Sequence, residues 1–403
     1  MPLFNIPSFI NQHITKRNGS LFEKDLLMNK DRLHSNIYKK SVLVIGGAGT
    51  IGSSFIRSIL PFRPSRLIVV DTNENGLTEL TRDIRSLSHI QAPEVYKTYP
   101  MRFSDPVFYK LLSAEGPFDI ITNFAAHKHV RSEKDQYSIE ALLDNNVFQA
   151  HRLLEKLSKK PPEHFFCVST DKAANPVNVM GASKKLMEEV IMAYSNSMKI
   201  TTARFANVAF SNGSLLDGYL QRLMKSQPLS CPADVKRFFV SPEESGQICL
   251  IACILGQSGD IFFPKLTPSE MVSFRDITIA FFNHLDMTIK DCSTEEEAKW
   301  LAARWKSGDP YPVYFFDSDT SGEKLFEEFF TNHDAIDMNS FAGMGVIRNP
   351  SRVSPDKIKE CIHELKTLLQ SDQNRKSAII STLKKYIPDF YHIEKGKNLD
   401  DRM

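Results

Sequence analysis

The sequence predicts an α/β fold, a doubly wound parallel sheet with helices on both faces. Three observations predict it. Short strand-like runs alternate with helical stretches from Ser41 to Phe205, the pattern of strand–helix–strand crossovers. The first run, Ser41–Ile45, is β-branched and carries no charge, the mark of a strand buried on both faces. It opens onto a glycine cluster where a strand gives way to a helix.

The elements follow in order. Residues 1–38 mix polar and apolar residues without a strand pattern; Leu21 to Ile37 reads as helical and is expected to lie on another surface, of its own chain or of a partner. Strands are expected at Ser41–Ile45, Arg66–Val70, Asp119–Phe124, His164–Ser169 and Ile200–Phe205, and helices at Ile51–Leu60, Gly76–Arg85, Tyr137–Lys159 and Gly181–Tyr194. After Val208 the alternation loosens. Asn212-Gly213 marks a turn, Leu215–Ser226 a helix, Pro228–Pro232 a loop, Ser245–Leu255 an apolar helix and Asp260–Pro264 a short strand. Residues 285–310 are charged and helical, Asp317–Gly322 is polar and turn-rich, and helices at Pro355–Leu369 and about Lys376–Tyr386 close the chain. The organisation is an N-terminal helical arm (1–38), a dinucleotide-binding domain (39–210), a smaller substrate-binding region (211–345, with 242–264 returning to the sheet) and a C-terminal helical extension (346–403). The arm and the extension add surface beyond the core, so self-association into a homo-oligomer is expected.

Composition excludes several classes. Fifty Lys and Arg against forty-eight Asp and Glu leave a net charge of +2, too little for a protein that neutralises nucleic-acid phosphates. The longest wholly apolar run, Ile248–Leu255, falls far short of the ~20 residues that span a bilayer, so no membrane role is expected. The N-terminus has no charged-then-apolar secretory layout. Six cysteines without a Cys-x-x-Cys pair read as core thiols in a reducing cytoplasm.

The strongest local signal is Gly46-Gly47-Ala48-Gly49-Thr50-Ile51-Gly52. Glycines let a backbone turn tightly and approach a pyrophosphate, and the helix opening at Thr50–Ile51 offers free N–H groups. Asp71 ends the second strand, nineteen positions after Gly52. A carboxylate there accepts hydrogen bonds from ribose hydroxyls and repels a 2′-phosphate, which favours NAD while leaving NADP possible. With these features together the fold is Rossmann-type. Asn123-Phe124-Ala125-Ala126 ends a strand with small residues, Ala125 and Ala126, where the cofactor ribose would pass.

A second constellation is Ser169-Thr170-Asp171-Lys172-Ala173, followed by Met180-Gly181-Ala182-Ser183-Lys184. A strand ends in a hydroxyl, a carboxylate and an amine, and a helix then carries another lysine. Ligands of doubly wound sheets gather outside the carboxyl ends of the strands.

These residues, with Lys128-His129-Val130, Asn175-Pro176, Asn178-Val179 and Arg204-Phe205-Ala206-Asn207-Val208, give the chain a resemblance to the nucleotide-sugar 4,6-dehydratases of the extended short-chain dehydrogenase/reductase superfamily. Over roughly residues 40–280 it is similar to the polysaccharide-biosynthesis branch acting on nucleotide-linked N-acetylglucosamine. Phe205–Leu220 and the tail His392–Met403 resemble the dehydratase of legionaminic-acid pathways. The resemblance implies a tightly bound NAD that takes hydride from C4 of the sugar and returns it to C6 after water leaves C5 and C6. It implies that Lys172, if desolvated and lowered in pKa, removes the C5 proton. Asp171, if protonated, gives a proton to the departing C6 hydroxyl, Thr170 bonds the C4 oxygen, and Lys184 holds the nicotinamide ribose. The superfamily carries Tyr where this chain has Met180. A thioether cannot act as the base for C4 oxidation, which leaves Lys184, Asp171 or a water for that task.

On the substrate side, Lys128 and His129 are implied near the pocket, Asn207 near the pyrophosphate, and Arg237 in a fork on the diphosphate. His127 and His129 have no third ligand in view, so no metal is expected. The competing activities are a nucleotide-sugar 4-epimerase and a binding protein without turnover.

Overall fold

A computed structural model describes residues 4–392 and 394, apart from 89, 319–323, 325, 349, 351–352 and 372–374. The principal sheet has nine strands: β1 Ser41–Ile45, β2 Arg66–Asp71, β3 Val95–Pro100, β4 Ile120–Asn123, β5 His164–Val168, β6 Ile200–Ala203, β7 Ile261–Pro264, β8 Ile336–Asp337 and β9 Met344–Ile347. Their order is β8-β9-β7-β6-β5-β4-β1-β2-β3. The first seven run parallel, and β9 and β8 close one edge as an antiparallel pair. This is the α/β fold that the alternating runs predict. The chain reverses its direction of travel across the sheet at β1, which pairs with β2 on one side and β4 on the other. A crevice therefore opens beyond the carboxyl ends of β1 and β4, where such folds hold ligands.

The return of 242–264 to the sheet has a clear packing basis. Helix Pro242–Leu255 starts at a capping box of Ser241 and Glu244 with proline in its first turn. From Ile248 to Ile254 it is apolar all round because it is enclosed all round. Gly246 lies against the backbone of Ser54, and a Cβ there would collide with it. β9 runs through positions 345 and 346, so the last strand of the sheet lies across the expected start of the C-terminal extension.

Several elements differ from the sequence reading. Leu229–Pro232, expected as a loop, is a strand paired in parallel with Tyr311–Phe316, which in turn pairs with Ile289–Cys292. Its partner lies some eighty residues away, out of reach of any local pattern. Within 285–310 the helix covers only Glu295–Ala302. The expected helix Tyr137–Lys159 is interrupted. Gln136–Leu143 and Gln149–Leu157 are joined by a wide π turn at Asp144–Phe148.

The terminal segments pack on their own chain. Phe9, Ile10 and Ile14 join a second core with Phe210, Tyr219, Phe281 and Tyr311. Asp25 accepts from the backbone of Ala342 and Gly343, and Arg17 forks onto Glu244. Ile358, Cys361, Ile362, Leu365, Ile379 and Leu383 are buried in the main core. The arm and the extension thus each pack an apolar face on their own chain, while Leu27 and Met28 of the arm stay exposed. Among the described residues no helix is long and apolar enough to cross a membrane.

Candidate active site

The glycine turn is built for close approach. Gly46 sits at φ +78° with the backbone of Phe124 and Ala125 against it, leaving no room for a Cβ. A Cβ on Gly52 would collide with the Gly46 carbonyl oxygen. Gly49 differs: a Cβ there would meet nothing nearer than 3.6 Å. The space at Gly49 is open, and the helix it introduces, Thr50–Ile59, has no side-chain cap. Open space beside uncapped N–H groups suits an anion. Asp71 closes the turn from β2, accepting from Ala48 N at 2.9 Å and from Asn73 N at 2.9 Å. Asn123 accepts from Ala125 N at 3.0 Å and holds the chain as it passes Gly46 toward Ala126.

A second group of residues gathers on the same turn. Asn212 N donates to Thr50 Oγ1 at 3.0 Å, and Lys128 Nζ donates to the Asn212 carbonyl at 2.9 Å. The His129 ring lies beside Gly213. Burial lowers the Lys128 pKa, with Asp217 opposing. Thus Lys128 and His129 meet the turn at Asn212 and Gly213, which Thr50 ties to the start of the glycine-turn helix. Asn146 supports the segment: its amide bonds both the N–H and the C=O of His127 at 2.9 Å and reaches Ser183 Oγ at 3.1 Å. The wide turn at 144–148 carries it, and sequence reading missed it.

The chemical group lies just past β5. Thr170 Oγ1, Lys172 N and Lys172 Nζ all donate to Asp171 Oδ1, at 2.8, 2.9 and 3.0 Å. Lys172 Nζ also pairs with Glu327 at 3.5 Å. Glu327 is buried and was not anticipated; it comes from a segment with no periodic pattern. Here the expectation for Lys172 is corrected. Burial alone would lower its pKa, but Asp171 and Glu327 outweigh burial and raise it, so the side chain rests as an ammonium. Burial raises the Glu327 pKa, opposed chiefly by Lys172. Arg237 acts on both of these groups, which sets it beside the Lys172–Glu327 pair. Asn207, in a short strand with Val208, donates toward the Phe238 carbonyl at 3.4 Å.

Lys184 is buried one helix away. Its Nζ donates to the Val168 carbonyl at 2.7 Å and lies 3.5 Å from Met187 Sδ. Burial lowers its pKa, with Cys167 and Glu188 opposing. Met180 is buried in the first turn of the same helix, Val179–Ala193. Glu188, on that helix, takes a two-pronged bond from Arg204 at 2.9 and 2.7 Å and a third from Ser169 at 2.6 Å. This pair ties the ends of β5 and β6 to one helix and keeps the floor of the site rigid. A cavity of about 780 Å³ lies elsewhere, lined by Tyr109, His151, Arg152, Lys156 and Lys359, apart from every residue expected in the site. Of the segment Asp317–Gly322, residues 319–322 lie outside the described residues, as does the tail beyond Glu394.

The family described as "Polysaccharide biosynthesis protein" matches residues 42–348. An "uncharacterized membrane protein" of Methanocaldococcus jannaschii is 30% identical over 341 residues, 82% of this chain and 92% of that one. The UDP-N-acetylglucosamine 4,6-dehydratase (inverting) of Campylobacter jejuni is 26% identical over 58% of this chain and 69% of its own length. Other relatives are UDP-glucose 4-epimerases of Rickettsia. Among solved structures, Pen from Bacillus thuringiensis superposes with a TM-score of 0.63 at 19% identity, covering 83% of this chain and 99% of that one. A dTDP-glucose 4,6-dehydratase of Streptomyces venezuelae with NAD bound gives 0.53 at 19% identity, covering 72% and 84%. These structural likenesses carry the fold.

Proposed function

We propose that this chain, which belongs to the polysaccharide biosynthesis protein family, is an NAD-dependent 4,6-dehydratase of a nucleotide-activated N-acetylglucosamine. It would act in the synthesis of surface polysaccharides or nonulosonic acids such as legionaminic acid. One observation carries the reading: the Asp171–Lys172 pair just past the carboxyl end of β5, its carboxylate buried and its amine largely enclosed. Oxidising and reducing a sugar at C4 needs no acid–base pair at C5 and C6, whereas eliminating water across those carbons does. Relatives named as 4,6-dehydratases support the same reading.

The residues present fit NAD. Gly46 and Gly52 leave no room for side chains, Gly49 faces open space, and Asp71 stands where it can accept from a ribose hydroxyl and repel a 2′-phosphate. When bound, NAD supplies the acceptor and later the donor of hydride. The chain's own residues do the rest. Thr170 bonds the C4 oxygen and hands its own hydrogen bond to Asp171. Lys184, with its lowered pKa, serves as the base in place of the tyrosine that Met180 replaces. Lys128 and the N-terminus of helix Thr50–Ile59 favour the anionic groups. Asp171 and Lys172 manage the C5 proton and the departing oxygen.

Incubation with UDP- and GDP-N-acetylglucosamine in deuterated water tests the reading. The expected product has lost one water and carries deuterium at C5. A product of unchanged mass with C4 inverted would make this chain an epimerase, the activity of its Rickettsia relatives. No product at all would leave it a binding protein.

A further inference from the structure

Lys172 presents a chemical difficulty. To take a proton from C5 it must first lose one, yet its Nζ is clasped between two carboxylates, Asp171 at 3.0 Å and Glu327 at 3.5 Å, which favour the ammonium. Bulk water is a poor outlet, because the side chain is only 18% exposed. A proton acceptor must therefore lie within the site.

Glu327 is placed for that role, and it is held there by more than one contact. Its Oε1 lies 3.5 Å from Lys172 Nζ. The next residue, Glu328, accepts from Asn175 Nδ2 at 2.8 Å, on the same loop as Lys172. The residue after that, Phe329, gives its carbonyl to Arg204 Nη1 at 3.0 Å. The Phe329 ring packs between Phe238 and Phe263, at 5.5 and 6.1 Å. Three successive residues are thus fastened to the floor of the site. Glu327 itself is 6% exposed. A carboxylate on so fixed a segment, buried against an ammonium, costs desolvation that a purely structural pair could avoid with apolar residues. The other charged groups acting on the pair are Asp171 on the Lys172 loop, Arg237 on the neighbouring strand and Lys324 on the Glu327 segment.

We propose that Glu327 is the proton partner of Lys172, taking the ammonium proton so that the amine can act at C5 and handing it back once the departing C6 oxygen has been protonated through Asp171. The inference rests on the dehydratase reading above. The proton balance closes. As the sugar nucleotide covers the site, Lys172 passes one proton to Glu327, giving a neutral amine beside a neutral carboxylic acid. The amine removes the C5 proton; the C5–H electron pair forms the C5–C6 double bond, and the C6–O bond breaks. Asp171, bonded to Lys172 Nζ at 3.0 Å, relays that proton to the departing hydroxyl, which leaves as water, and Glu327 returns its own proton to the amine. The ammonium and the carboxylate are then restored, and the sugar has lost one water and nothing else. As C6 is reduced, Lys172 gives a proton to C5, and solvent restores the ammonium while Lys184 releases the proton it took from the C4 hydroxyl.

Glu327→Gln, which keeps the shape and removes the acceptor, provides the test, with Glu327→Asp as the conservative variant. Each is assayed with NAD and UDP-N-acetylglucosamine in deuterated water across a pH series. In the Gln variant, C4 oxidation, read as transient reduced-nicotinamide absorbance in a single turnover, should stay within about threefold of wild type. Water loss and C5 exchange should fall roughly 100-fold or more at neutral pH. Both should recover as pH rises and solvent takes over the Lys172 proton. The Asp variant should retain part of the rate. A Gln variant within about threefold of wild type in water loss would overturn the proposal. So would an equal loss of C4 oxidation and elimination at every pH, the mark of a merely structural role. Wild type that releases no water would instead overturn the dehydratase reading and this inference with it, a result distinct from an active Gln variant.

Discussion

Two lysines twelve residues apart, Lys172 with 18% of its side chain exposed and Lys184 buried, answer enclosure in opposite ways. Around Lys172 two carboxylates converge, and its pKa rises although burial works against it. Around Lys184 the nearest partners are a carbonyl and a thioether, and burial lowers its pKa. Depth alone therefore says little about a lysine; the charges that share the depth decide. In one site the chain holds a lysine with a proton to give and another readier to take one, the pairing that acid–base chemistry at neutral pH calls for.

The largest effect should come from removing the charged lysine. Lys172→Met should cut water loss by roughly 10²–10⁴-fold while NAD still binds, measured by product mass and cofactor titration; near-normal turnover would strip Lys172 of its role. Next is the pair beneath both lysines. Glu188→Ala leaves Arg204 buried without its carboxylate and should cost ~3–5 kcal/mol in urea unfolding. A loss below about 1 kcal/mol would show that the fork does not hold the floor of the site.

The glycine turn offers the same contrast without charge. Gly52→Ala meets the Gly46 carbonyl and should destabilise the fold by ~1–3 kcal/mol. Gly49→Ala meets nothing nearer than 3.6 Å, so it should fold normally and lose NAD affinity. Equal stability of the two variants would contradict that division between packing and binding.

The smallest effect is the pH dependence of stability, and its sign differs between the lysines. Lys172 has a raised folded pKa, so its stabilisation is full below the ordinary lysine value and fades as pH rises through the folded value. Lys184 has a lowered one, so its penalty is full below the folded value and fades as pH climbs toward the ordinary value. Measured against Lys172→Met, wild type should lose its advantage in alkali; measured against Lys184→Met, it should gain. Parallel pH curves for the two variants would remove the distinction.

What the sequence reveals follows chain distance. The glycine turn, Asp71 and the Asp171–Lys172 pair are legible because each is made within one strand and the turn after it. Glu327 is not legible, since it meets Lys172 only through long-range packing at Phe329 and Asn175. The strand Leu229–Pro232 is hidden for the same reason, because its partner Tyr311–Phe316 is remote. The charge state of Lys172 could not be read either. Asp171 is adjacent in sequence, but Glu327 completes the enclosure. Lys184 and Met180 are recognisable by spacing, while the turn of the Lys184 amine to the Val168 carbonyl belongs to the packed structure.

The most direct measurement uses UDP-N-acetylglucosamine carrying deuterium at C4, with product read by NMR. If hydride is lent from C4 and repaid at C6, the deuterium will appear on C6 of a 4-keto-6-deoxy sugar from the same molecule. Deuterium found still on C4, with either configuration there, would contradict the account.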